Sequence, residues 1–181
     1  MNYRMLAAAT AISISALGSA SCSDDDPAGP TGPPTTFVFT STLLPSNEVP
    51  PVTNGDSTAS GTVTITLNVT RDAAGTITAA TTTFVCNMTG FPGTSAVTIA
   101  HIHNNVAGQI GNVFVNTGLT ANEVTLTNGA GSFTKSGVNT TVAQAEAIIA
   151  NPAGHYFNVH STLNPGGAIR GQLTLQSSSQ P

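Results

Sequence analysis

Thr62-Val63-Thr64-Ile65-Thr66-Leu67-Asn68-Val69 alternates without a break. Successive side chains of an extended chain point to opposite sides. Val63, Ile65, Leu67 and Val69 therefore share one face, and Thr62, Thr64, Thr66 and Asn68 the other. One apolar face and one polar face describe an antiparallel strand half-covered by a core. Arg71-Asp72-Ala73-Ala74-Gly75 follows as a turn, which leaves Arg71 solvated, and Thr76–Met88 returns as the second arm of a hairpin. Outward from this hairpin, further strands are expected at Phe37–Leu43, Val97–His103, Asn112–Thr117, Glu123–Leu126, Gly131–Thr134, His155–Ser161 and Ala168–Leu175. Such a series of short strands predicts an all-β domain, an antiparallel Greek-key β-sandwich or barrel. One short helix interrupts it. Thr141-Val142-Ala143-Gln144 reads as a capping box, Ala143–Ala150 are good helix formers, and Asn151-Pro152 stops the run.

Composition agrees. The chain has 181 residues, enough for one domain of ordinary size. Its 29 Thr suit a pleated surface, and 18 Gly and 11 Pro supply turns. Charged residues are only 7%, which excludes disorder driven by charge. Lys and Arg total four, too few to neutralise a phosphate backbone, so a nucleic-acid partner is excluded.

The ends read differently from the middle. Residues 1–21 look like a signal peptide: Arg4 is basic, and Met5–Leu17 is uncharged and too short to span a membrane. Gly18-Ser19-Ala20-Ser21-Cys22 resembles the lipobox of bacterial lipoproteins, with Ser19 where that motif usually has Leu. The resemblance implies that Cys22 is lipidated and that the membrane is a partner through this anchor. The location expected is the cell envelope, with plain secretion as the alternative. Residues 22–36 hold Asp24, Asp25 and Asp26 and four prolines, and read as a solvated tether. The domain proper is expected over 37–176, with 177–181 a disordered tail. Cys86 alternates with Phe84 and Met88 on the apolar face and reads as a small buried side chain.

Three islands resemble the CHRD domain, the module repeated in chordin and found singly in bacterial secreted proteins. They are Leu44–Val52 around Glu48-Val49-Pro50-Pro51; Ala100-His101-Ile102-His103 with Ala107–Val113; and Tyr156–Ser161 with Asn164–Leu173. Ala168 stands where the family usually has an acid before Ile169-Arg170. The resemblance implies a β-sandwich and a non-enzymatic binding module whose ligand, a protein or a glycan, is unknown. A fainter similarity is to copper/zinc superoxide dismutase. There His101, His103 and His160 would match copper-ligand positions and Arg170 the substrate-guiding arginine, but the bridging histidine and the zinc loop have no counterpart.

Two constellations are candidate sites. His101 and His103 project to one side of a strand, and His160 shares a face with Tyr156 and Asn158. The three imidazoles can form an open site for a cofactor metal, Cu or Zn, or can hydrogen-bond to one another and to the backbone. His155 lies on the opposite face and is not expected to join them. Glu48 and Arg170 are rare charges in this chain, and with Ala168 uncharged, Glu48 is the remaining partner for Arg170 in a structural ion pair. No catalytic residue is assigned: there is no Gly-x-Ser-x-Gly, no phosphate loop, and Ser161 points away from His160.

Overall fold

The computed structural model describes residues 32–180. The stretch read as a signal peptide, Cys22 and most of the residues read as a tether lie outside them. The described chain is a β-sandwich with nine strands: β1 (Thr36–Leu43), β2 (Ser60–Arg71), β3 (Ile77–Thr89), β4 (Val97–Asn104), β5 (Val113–Asn116), β6 (Gly131–Thr140), β7 (His155–Ser161), β8 (Ile169–Gln172) and β9 (Thr174–Ser179). One sheet runs β6-β3-β2-β1-β9 and the other β5-β4-β7-β8, every pairing antiparallel.

The alternating strand sits at the centre of the larger sheet. Val63, Ile65, Leu67 and Val69 are buried, against Phe84, Cys86, Phe157 and Val159 in one core. Burial pushes the Cys86 thiol up to about 12, so it stays protonated and inert. The helix α1 (Val142–Ala150) links β6 to β7. Thr141 and Gln144 close the capping box from both sides.

The sheets meet at one corner. Leu44 and Arg170 exchange both backbone hydrogen bonds, at 3.1 and 3.3 Å. Gly171 lies so close to β1 that a Cβ there would stand 2.1 Å from the Thr42 carbonyl oxygen, so this crossing requires glycine.

Four expectations are corrected. Glu123–Leu126 is not a strand. Asn122 and Asn128 bracket it with positive φ, and Val124 is buried without ladder pairing. The run Ala168–Leu175 is two strands, because the chain leaves one sheet at Leu173 and enters the other. Residues 177–179, expected to be disordered, pair with β1: Val38 faces Ser177 and Thr36 faces Ser179. Arg71 is half-buried, with Nε donating to the Pro34 carbonyl at 2.9 Å and Nη1 to that of Gly75 at 2.8 Å.

β7 is the strand that matters for the site. Every one of its residues is buried. Phe157 and Val159 enter the core between the sheets. By alternation Tyr156, Asn158 and His160 face outward, yet they are buried too, because loops cover this face.

Candidate metal centre

β4 and β7 pair so that His101 faces Asn158 and His103 faces Tyr156. Strand spacing of about 4.8 Å therefore sets the imidazoles of β4 beside that of His160 on β7. His101, His103 and His160 are 5%, 8% and 6% exposed. Their ligand atoms all lie within 4.8 Å of one another. Ring centroids are 4.9 Å apart for His101 and His103 and 4.6 Å for His101 and His160. His155 is outside the group: its ring packs on Phe114 at 4.8 Å, and its Nδ1 donates to the Asn151 carbonyl at 3.0 Å.

The hydrogen bonds fix the protons. A carbonyl oxygen only accepts, so His103 Nδ1 donates to Gly111 at 3.0 Å and His160 Nδ1 donates to Pro165 at 2.8 Å. In the neutral rings both Nε2 atoms are then lone pairs. His103 Nε2 accepts from His101 Nδ1 at 3.0 Å. His160 Nε2 is buried and has no partner. Burial also keeps the rings neutral. It lowers His101 to about 4, helped by the neighbouring imidazoles, and it lowers His103 and His160 against the opposing effect of their carbonyl bonds.

His103 and His160 are neutral, with Nδ1 anchored on a backbone carbonyl and the lone pair on Nε2, the form in which histidine binds a transition metal. Three nitrogens at about 2.0–2.1 Å from a tetrahedral ion stand roughly 3.3 Å apart. The His101 Nδ1–His103 Nε2 contact, at 3.0 Å, is near that spacing with a proton between the two nitrogens; for both to ligate one ion, His101 would carry its proton on Nε2 and leave Nδ1 free.

A second polar group adjoins the first. The Arg170 guanidinium lies 4.6 Å over the Tyr156 ring, which in turn stacks on His103 at 4.9 Å. Arg170 Nε donates to the Asn47 carbonyl at 2.6 Å and Nη1 to that of Gln109 at 3.1 Å, and Nε stands 3.7 Å from Glu48 Oε2. At that distance the carboxylate is only loosely engaged. Burial outweighs the Arg170 charge and raises Glu48 to about 7. Gly167, with φ 137°, passes directly above: a Cβ there would meet Asn158 Nδ2 and both Glu48 oxygens within 2.8 Å.

The profile of the CHRD domain matches residues 39–173. The chain belongs to the CHRD domain family. Membership supports a binding module in general terms. No curated protein and no solved structure matches the chain.

Sequence reasoning reached the three histidines and Glu48 with Arg170. It did not reach the Gly111 and Pro165 carbonyls, which carry no signal of their own in a sequence. It also missed the Asp56 carboxylate, fully buried and held by Ser161 Oγ at 2.5 Å and Asn164 Nδ2 at 2.6 Å, which fastens the loop before β2 to the loop after β7.

Proposed function

We propose that this CHRD protein is an envelope-anchored binding module whose ligand is one transition-metal ion, Cu or Zn, held by His101, His103 and His160. The observation that carries the reading is the convergence of three neutral, buried imidazoles, one of which presents an unpartnered Nε2. A hydrogen-bonded histidine pair would explain His101 and His103 but leaves His160 Nε2 unsatisfied, at a cost of about 1–3 kcal/mol. A metal ion would take the lone pairs of His103 Nε2 and His160 Nε2, and that of His101 Nδ1 once the His101 proton moves to Nε2. Anchoring rests on the lipobox-like Gly18–Cys22, and the tether sets the domain off from the bilayer. Elemental analysis of the chain purified without added metal tests the metal. About one Cu or Zn per chain is expected, falling to background in His160→Ala. Background metal in the wild type after growth and reconstitution with both ions would overturn it.

A second reading, attachment to a protein or glycan partner at the surface, is favoured by one feature. Val106, Ile110 and Val113 are 53%, 69% and 52% exposed beside the metal-site loop. Replacing all three by Ser would weaken such attachment and leave metal content unchanged.

A further inference from the structure

Three neutral nitrogens are the donors of this centre. Among the described residues no Cys, Asp or Glu joins His101, His103 and His160. All three side chains are buried, so an ion held by them would meet few outside ligands. The charge around them is neutral or positive. The Arg170 guanidinium lies over Tyr156, and that ring stacks on His103. Burial lowers His103, and the Arg170 charge adds to the effect against the Gly111 bond. Glu48 faces Arg170 from outside the group, its carboxyl raised by burial to about 7 despite that partner. Asp56 is tied to Ser161, whose side chain leaves β7 on the face opposite His160.

Charge and coordination number then act together. The cost of taking an ion out of water grows with the square of its charge, so a dication loses far more than a monocation in a buried, uncharged cage near a guanidinium. Zn(II) completes a tetrahedron with a fourth protein ligand or a water. Cu(II) favours a square-planar or tetragonal set. Cu(I), a closed-shell monocation, is satisfied by three nitrogens. Resting on the metal reading of these histidines, we infer that the centre is a copper(I) site: His101, His103 and His160 hold Cu(I) more tightly than Cu(II) or Zn(II), which occupy the same nitrogens more weakly. Asn158 sets part of this preference. It faces His101 on β4 and Arg170 on β8, and its amide carries no charge where an aspartate would supply one.

The test is a redox titration of the full chain loaded with one equivalent of copper, with Cu(II) followed by its electron paramagnetic resonance. Binding Cu(I) about a hundredfold more tightly than Cu(II) places the couple about 120 mV above that of aqueous copper, since tenfold is about 59 mV for one electron. Displacement is the second measurement. The chain loaded with Zn(II) should release it to a coloured zinc chelator when one equivalent of Cu(I) is added under argon as its acetonitrile complex. Asn158→Asp, nearly the same shape with a negative charge, should narrow the preference about tenfold and lower the potential by about 60 mV. A couple at or below that of aqueous copper would overturn the inference. So would Zn(II) retained against Cu(I), or an unchanged potential in a folded Asn158→Asp chain. The wild-type couple and the zinc release decide the matter whether or not that variant folds. No copper bound in either state, or binding unchanged in His160→Ala, would instead overturn the metal reading itself, and the inference with it.

Discussion

Arg170→Ala removes the most heavily engaged cation of the domain. The guanidinium is 4% exposed, makes two hydrogen bonds to carbonyls, covers Tyr156 and faces Glu48. Breaking one side of a shielded ion pair costs about 3–5 kcal/mol. Glu48 moderates this. Already raised to about 7, it escapes part of the penalty by taking up a proton. The cost should therefore depend on pH. Glu48 is higher in the folded chain than its ordinary 4.5, so its contribution is fully present below pH 4.5 and is lost as pH rises through 7. Without Arg170 the carboxyl rises further and the loss deepens. The gap between Arg170→Ala and wild type should thus widen from pH 4.5 to pH 8. Arg71→Ala is the control: half-buried, with two carbonyl bonds, it should cost about 1–2 kcal/mol. With a urea m-value of about 2 kcal/mol/M, the midpoints should fall by about 2 M for Arg170→Ala and under 1 M for Arg71→Ala at neutral pH. Equal falls for the two, or a gap that does not change with pH, would refute a buried Glu48–Arg170 couple.

Three other outcomes follow from the structure. Truncation after Gln176 should lower thermal stability measurably, because it deletes the pairing of Ser177–Ser179 with β1; an unchanged melting temperature would show that pairing to be dispensable. The metal-free chain should lose stability as pH falls from 6.5 towards 4, since burial lowers His101, His103, His155 and His160 and the unfolded chain binds those protons first. This runs opposite to Glu48, so His101→Gln should flatten the acid limb alone, and an unaltered acid limb would count against it. Radiolabelled palmitate should enter the wild-type chain and not Cys22→Ser, and equal labelling of both would end the lipoprotein reading.

What the sequence disclosed depends on which face each strand buries. β2 was legible because one side is core and the other water. β9 was not, because all six of its residues are exposed, so no hydrophobic pattern marks it. It is a strand through backbone pairing alone. Glu123–Leu126 failed for the converse reason. Its alternation is real, but Val124 buries from a turn-bounded loop instead of a ladder. Parity separated His155 from His160 correctly, since it follows from alternation within one strand. The orientation of the imidazoles was out of reach, because it depends on the Gly111 and Pro165 carbonyls of two loops. Glu48 and Arg170 stood out only because charges are so scarce here. How deeply Glu48 is desolvated could be known only from the fold.

We propose that His101, His103 and His160, from two neighbouring strands, hold one metal ion. Calorimetric titration of the chelator-stripped chain with Zn(II), and separately with Cu(II), at neutral pH tests it most directly. One site per chain is expected for the wild type and for His155→Ala, and none for His101→Ala or His160→Ala. No heat of binding with either ion, or a His160→Ala chain that binds as the wild type does, would contradict it.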